Sequence, residues 1–475
     1  MSWTDKHLPD AQTKCEYCGH EGVFPHFGTY EFGPKEYSLY RCPDCGSLMY
    51  YPLVVPVRNE SDMSPQAVEH YGIGNRYYLE IGFSVDHVVK CAMMALAGVP
   101  HEEQPRHLFV DIGAGIGMSS VFARPYAKME TLTVEPSPTA HTGIKLFGLN
   151  TYQAMIEDLP ADVLARMRER PSVLHLNSVV EHIAHPEEAL RSIMALTDVE
   201  SIGIVVPDGA AIDREVPFLM QLPLLAPSDH MHLPTVAGVT KFFHRLGLPE
   251  VQIDAQNGLM VATGARRPFV LPTQAEQDAA RDDFLEELAR HPDPPVADGA
   301  RARIISYAAQ RDDPAGFDKL LASLGPGFEP AALMRLLHEE SSWEKIPFYI
   351  GPTAFWVAYE ALRHGHVAKG EQWCDVLELF AERMASDQML YASTSLHYRV
   401  EARILRGATL LGRGRNEEAA YWLDRVLAPA PGESGGPNPE QRQRAQGVRA
   451  RIPPPRPRQG LFSRLSTWVH DRTGH

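Results

Sequence analysis

Apolar and polar positions change their period along the chain. Between about 61 and 104, Val85, Val88, Val89, Ala92, Met93 and Leu96 fall on one helical face, which predicts a helical segment. From 108 to 268, short apolar runs alternate with helical stretches. Strands are predicted near 108–111, 131–135, 173–177 and 201–206. A late hairpin is predicted near 250–264, through Val251, Ile253, Leu259 and Val261. Helices are predicted from Ser119, from Pro186 to Leu196 and from Thr235 to Leu246. Such β–α alternation implies a mainly parallel sheet covered on both faces.

Beyond Arg266-Arg267-Pro268 the strand signal stops. A helical stretch at 273–290 runs into the breaker-rich His291-Pro292-Asp293-Pro294-Pro295, and from about 300 to 430 only helical periodicity remains. The unit Gly407…Leu410…Gly414-Arg415…Glu418-Ala419…Leu423…Val426-Leu427…Pro431 resembles a tetratricopeptide repeat (TPR), and Ala354 to Met384 is a looser second hairpin. From Arg442 onward eight arginines face one acid, Asp471, around Pro453-Pro454-Pro455. That composition predicts a disordered, solvated end. Within it, Leu461-Phe462…Leu465…Trp468-Val469 could form a short basic amphipathic helix that touches a partner or a membrane surface.

Composition narrows the class. The 475 residues, 44% hydrophobic and 22% charged, suit a globular protein of two or three domains. A net charge of −15 disfavours a general nucleic-acid partner. No apolar run reaches the roughly 20 residues of a bilayer span, and the first residues lack a signal-peptide core, so the expected location is cytoplasmic.

Four of the six cysteines form two pairs, Cys15-Glu16-Tyr17-Cys18 and Cys42-Pro43-Asp44-Cys45, each followed by glycine (Gly19, Gly46). This spacing lets both sulfurs of a pair face one tetrahedral ion, and in a cytoplasmic chain it reads as a zinc site. With all four positions filled by Cys15, Cys18, Cys42 and Cys45, no coordination site is left for a reactive water, so the metal is structural. A small zinc ribbon over 12–55 follows, its short strands supplied by residues such as Phe24, Tyr30, Tyr37 and Tyr40. Cys91 and Cys374 stand alone in helix-like surroundings and are expected to be buried.

The densest chemistry lies in Leu108-Phe109-Val110-Asp111-Ile112-Gly113-Ala114-Gly115-Ile116-Gly117. A strand-like run ends in an acid and then in glycines at alternate positions. A second apolar run ends in Glu135, 18 residues past Gly117. Glycines let the backbone approach a nucleoside, and an acid closing the next strand accepts bonds from ribose hydroxyls. Met118 stands where the dinucleotide fingerprint wants a small residue, which disfavours NAD. The run is instead similar to the first motif of class I S-adenosylmethionine (SAM) methyltransferases, with Asp111, Gly113, Ala114, Gly115, Gly117 and Glu135 as cofactor-binding candidates. By the same resemblance Asp158 is the candidate for the adenine amino group, although it could equally open a helix.

Further on, an apolar strand ends at Asn177, a further cofactor-binding candidate, and is followed by Glu181-His182…His185-Pro186. With Asp229-His230-Met231-His232 this resembles the family that includes sugar C-methyltransferases, in which a zinc ribbon and a tyrosine-rich connector precede the SAM domain. The connector here would be His70-Tyr71…Arg76-Tyr77-Tyr78…Ser84, and the likeness covers about 12 to 268. It implies His182 as catalytic base, Glu181 and Tyr77 or Tyr78 as helpers, and His230 or His232 lining the acceptor pocket. His185 is expected to open a helix beside Pro186. Those sugar enzymes end in a second α/β domain, whereas this chain ends in helices, which leaves the acceptor and the methylated atom open.

The expected protein is therefore α/β. A Rossmann-like class I methyltransferase domain (105–268) is preceded by the zinc ribbon and a helical connector (61–104), and followed by an all-α TPR-like domain (300–433) and a Pro/Arg-rich tail (434–475). It would take SAM and structural zinc, with a small-molecule or glycan acceptor and a protein partner on the helical domain. The rival reading is a scaffold that binds SAM weakly or not at all.

Overall fold

The computed structural model describes residues 2–53, 64–80, 85–216, 218–227, 229–256, 258–311, 314–323, 326–384, 390–428 and 437–453. The tail segment Leu461–Val469, Ser84 and Pro431 lie outside them. The chain folds as two units, Met1–Tyr78 with Phe83–Glu287, and Leu79–Gly82 with Leu288–His475.

The first unit begins with β1 (Ser2–Trp3), β2 (Ala11–Lys14), β3 (Glu21–Phe24), β4 (His26–Phe32), β5 (Lys35–Arg41) and β6 (Leu48–Tyr50). β2 pairs with β3, while β1, β4, β5 and β6 form a second sheet whose far edge is His232–Leu233, from nearly 200 residues later. Tyr30, Tyr37, Leu39 and Tyr50 fill its core, and the Tyr30 and Tyr50 hydroxyls bond each other at 2.6 Å. The other ribbon face, with Cys15, Tyr17, Phe24 and Met49, shares one core with the main sheet. The ribbon is thus built onto the α/β fold.

There follow α1 (Pro65–Glu80), α2 (Val85–Ala97), β7 (Leu108–Ile112), α3 (Met118–Tyr126), β8 (Glu130–Val134), α4 (Thr139–Phe147), β9 (Thr151–Tyr152), α5 (Ala161–Glu169), β10 (Ser172–Asn177), α6 (Pro186–Met194), β11 (Val199–Pro207), α7 (Phe218–Leu225), β12 (the His232–Leu233 strand), α8 (Val236–Arg245), β13 (Glu250–Gln256), β14 (Leu259–Ala265) and α9 (Gln274–Leu288). The main sheet has the order β13-β14-β11-β10-β7-β8-β9. β11, β10, β7, β8 and β9 run parallel, and β14 is antiparallel to both its neighbours. This is the mainly parallel α/β sheet that the β–α alternation predicts.

Alternate residues face opposite layers, as a doubly covered sheet requires. Ile202, Ile204 and Val206 of β11 join the core with Val163 of α5, Leu190 of α6 and Phe242 of α8. Val205 faces the other way, onto Cys91 and Met94 of α2. There α2 lies so close that a Cβ on Gly203 would sit 2.4 Å from that of Ala95. Successive strands leave β7 in opposite directions, toward β8 and toward β10. A ligand crevice is expected at the carboxyl ends of these strands.

The second unit is helical throughout its described residues: α10 (Pro294–Gln310), α11 (Pro314–Ser323), α12 (Pro330–Glu339), α13 (Ile350–Arg363), α14 (Val367–Met384), α15 (Leu390–Gly412), α16 (Asn416–Leu427) and α17 (Pro439–Ala450). α13 to α17 each pack on the next, and Gly407 of α15 admits Leu423 of α16. Cys91 and Cys374 are buried, as expected. The stretch after Arg442 departs from the sequence reading, because α17 occupies its start. Asn438 caps α17 by accepting from the Gln441 backbone N–H at 2.8 Å, and Ala445, Val448 and Ile452 pack onto Val400 and Leu423. Three apolar residues at helical spacing outweigh the arginines that separate them.

Candidate functional site

At the amino end, the two cysteine pairs converge. Cys15 Sγ lies 3.7 Å from Cys45 Sγ, and Cys18 Sγ lies 3.5 Å from Cys42 Sγ. Bonds of about 2.3 Å to a tetrahedral ion place sulfurs roughly 3.8 Å apart, so the donors fit zinc without rearrangement. The two turns match: the Gly19 N–H donates to Cys15 O and the Gly46 N–H to Cys42 O, both at 2.9 Å, with φ of 76° and 77°. The hydrogen bond with Cys15 holds the Cys45 thiol down to about 5, while the bond to Cys45 and burial push Cys15 up.

At the carboxyl edge of the main sheet is a cavity of about 270 Å³, bounded by the glycine turn after β7, the chain after β8 and β9, and the turn after β10. Its wall includes Gly113, Glu135, Ser137, Glu157, Val179 and His182. Glu135 accepts from the Gly115 N–H at 2.7 Å and from the Ser137 N–H at 2.9 Å. Gly113, at φ 64°, comes so near Val179 that a Cβ would lie 2.4 Å from its Cγ2. Gly117 closes the turn at φ 83° and caps α3.

Other cofactor candidates stand elsewhere. Asp111 is buried beneath the turn. Its Oδ2 accepts from Ser120 Oγ at 3.1 Å, and its Oδ1 lies 2.8 Å from Nδ1 of the buried His175. Asp111 shapes the turn rather than lining the cavity. His175 stacks on Phe109, and a single histidine in an apolar strand gave no sign of this role. Ala114 and Gly115 are half-exposed on the turn, and neither is among the residues lining the cavity. Asp158 is exposed, and Met155, Ile156 and Glu157 border the cavity in its place. Asn177 hydrogen-bonds His87 of α2, whose pKa burial lowers.

The expected catalytic group is only partly assembled. Glu181 and His182 sit on the 3₁₀ turn Val180–His182, held by the Met231 N–H donating to Glu181 O at 2.8 Å. His182 Nδ1 lies 2.9 Å from Asp229 O, and its ring is 4.8 Å from that of His230. His230 Nδ1 lies 2.7 Å from Leu224 O, and its Nε2 is 3.9 Å from Glu181 Oε1. Of the tyrosines, Tyr71 lines the cavity, whereas Tyr77 is buried and Tyr78 is 39% exposed, both apart from its wall. His232 does not face an acceptor either. It is buried in β12 with Nε2 3.1 Å from Ala184 O, and burial pushes its pKa down to about 4. His185 opens α6, as expected, with Nδ1 3.1 Å from Glu16 Oε1.

A second cavity, of about 330 Å³, lies among α2, the β13–β14 hairpin and α9, but its charges are matched within it. Lys90 pairs with Asp254 at 2.6 Å and Arg281 with Asp86 at 2.8 Å. The chemistry-bearing residues face the crevice instead.

No protein-family model matches the chain, and no curated protein sequence does. Among solved structures it is similar to human N-acetylserotonin methyltransferase in complex with SAM (14% identity, TM-score 0.34), covering 45% of this chain and 61% of that one. It is also similar to the plantazolicin methyltransferase BpumL in complex with SAH (12%, TM-score 0.30, 43% and 92%). A third is the Burkholderia thailandensis 1,6-didemethyltoxoflavin-N1-methyltransferase (12%, TM-score 0.28, 50% and 99%). The chain thus spans about three-fifths of the first of these proteins. No helix among the described residues is long and apolar enough to cross a membrane.

Proposed function

We propose that the protein is a SAM-dependent methyltransferase acting on a small-molecule or glycan acceptor. One observation carries this reading: a single crevice is lined by Glu135, by Gly113 of the glycine turn and by His182. That pairs a ribose-holding carboxylate with a proton acceptor across a topological switch point. SAM supplies a methyl group on a sulfonium, already a good electrophile. The chain's own task is then to orient the acceptor and remove its proton. Asp229 O can only accept, so His182 Nδ1 carries the proton and Nε2 keeps the lone pair that a general base needs. Glu181 and Tyr71, rather than Tyr77 or Tyr78, are the helpers in this reading. Zinc on Cys15, Cys18, Cys42 and Cys45 is structural, and the helical second unit, TPR-like in its sequence, serves substrate or partner recognition.

Calorimetric titration with SAM, SAH and NAD tests the reading, and SAM and SAH should bind while NAD does not. His182→Ala should lower turnover at least 100-fold with SAM affinity nearly unchanged. A chain that binds none of the three is a scaffold, and one that binds NAD alone belongs to another class.

A further inference from the structure

Glu181, His182 and His230 offer one ligand atom each, and these atoms lie within 4.8 Å of one another. The two histidines are fixed alike. Each Nδ1 faces a backbone carbonyl, Asp229 O at 2.9 Å and Leu224 O at 2.7 Å. Carbonyls only accept, so both rings carry a proton on Nδ1, and in the neutral form each presents a lone pair at Nε2. A carbonyl on the far ring nitrogen is how proteins commonly orient a histidine toward a metal. Glu181, 1% exposed, adds a carboxylate to the two imidazoles. The 3.9 Å between His230 Nε2 and Glu181 Oε1 is too long for a hydrogen bond but suits two groups facing one ion. Beside them the Tyr17 hydroxyl is fully buried with no hydrogen-bond partner among the described residues. Burial and then the nearby Glu181 carboxylate keep that hydroxyl protonated, so it is a donor and not a counter-ion.

We infer that Glu181, His182 and His230 bind one divalent transition-metal ion where His182 borders the crevice, a site separate from the four-cysteine cluster. Two imidazoles and one carboxylate form a donor set that such ions accept, and they leave positions open for oxygen ligands. The acceptor would then be drawn in through its hydroxyl oxygens. This clause rests on the methyl-transfer reading, whereas the ion site does not. With the ion bound, His182 serves as its ligand and the acceptor's hydroxyl proton leaves to solvent. His182 acts as base only in protein lacking this ion.

The test is titration of the full chain, its cysteine cluster loaded with zinc, with Co²⁺ followed by visible absorption. One equivalent should bind with ligand-field bands and no thiolate-to-cobalt charge transfer. His230→Ala and Glu181→Gln should each weaken it at least tenfold while zinc content stays at one. If wild type shows no such band at millimolar Co²⁺, or both variants bind as wild type does, the inference is overturned. Should Glu181→Gln fail to fold, His230→Ala alone decides. A parallel SAM titration separates the two proposals, since cobalt binding without SAM binding sinks only the methyltransferase reading.

Discussion

Gly113→Ala tests the crevice where the turn after β7 meets Val179. Two costs can be worked out. At φ 64° an alanine sits in the left-handed region, at about 1–2 kcal/mol. Its Cβ would also stand 2.4 Å from Val179 Cγ2, far inside ordinary contact, and relieving such overpacking costs about 1–3 kcal/mol. Together they come to roughly 2–5 kcal/mol, localised where the Gly113 N–H donates to Val134 O at 2.8 Å. Hydrogen exchange of a peptide spanning β7 and α3 reads that turn directly. Opening should become at least about 30-fold more populated. The costs separate in a double-mutant cycle, because Val179→Ala leaves only its Cβ, at 3.4 Å, against the new methyl. The double variant should recover the overlap and retain the backbone cost. Wild-type protection in Gly113→Ala, or no recovery in the double variant, would refute the account.

Glu135→Gln should weaken SAM binding about 10- to 100-fold, since bonds to a charged acceptor are worth about 1.5–3 kcal/mol; an unchanged calorimetric affinity would remove Glu135 from the ribose role. His232, held neutral by burial with its pKa near 4, binds its proton more readily in the unfolded chain. Its contribution is therefore complete above about pH 6.5 and is lost as pH falls toward 4, by about 3 kcal/mol in all. Urea midpoints at pH 7 and 5 should differ less in His232→Gln than in wild type, and equal differences would contradict the assignment. The purified protein should carry one zinc per chain, and Cys18→Ser should lower that content together with resistance to urea. Less than about half an equivalent in wild type counts against the ribbon.

Local pattern revealed much of the fold, for reasons visible in the structure. β7, β8, β10 and β11 are covered on both faces, and β7 and β11 carry the apolar runs Leu108-Phe109-Val110 and Ile204-Val205-Val206 that mark such strands. β9 has two residues and gives no period at all. α7 is apolar around most of its circumference and contains Pro223, so no amphipathic stripe marks it. The crevice was legible where spacing sets it, as at Gly113 and Glu135. Spacing does not set which side chain meets the wall where one residue's rotation decides. The 3₁₀ turn Ile156–Asp158 puts Glu157 on the wall and Asp158 in solvent. The tyrosine was misplaced along α1 rather than around it: Tyr71 and Tyr78 are seven residues apart, share a face, and stand about 10 Å apart on the axis. Periodicity sees the face and not the height.

What no local pattern carries is the joining of ribbon and crevice. β12 pairs with β6, His232 with Met49 and Leu233 with Leu48, and so ties the stretch after His230 to the ribbon sheet. One residue earlier, Met231 accepts from the Tyr50 N–H at 3.3 Å and donates to Glu181 O at 2.8 Å. A backbone chain of two hydrogen bonds therefore runs from the ribbon to the turn bearing Glu181 and His182. A second link is Tyr17, placed between Cys15 and Cys18, whose buried ring packs against Phe242 and His232. Buried backbone groups are rarely left without partners, so loss of the ribbon's order would strip Met231 of its bond and expose the underside of Glu181. The four-cysteine cluster thus bears on the turn after β10 without touching it. It fixes the strand edge and the tyrosine against which the turn after β10 is held.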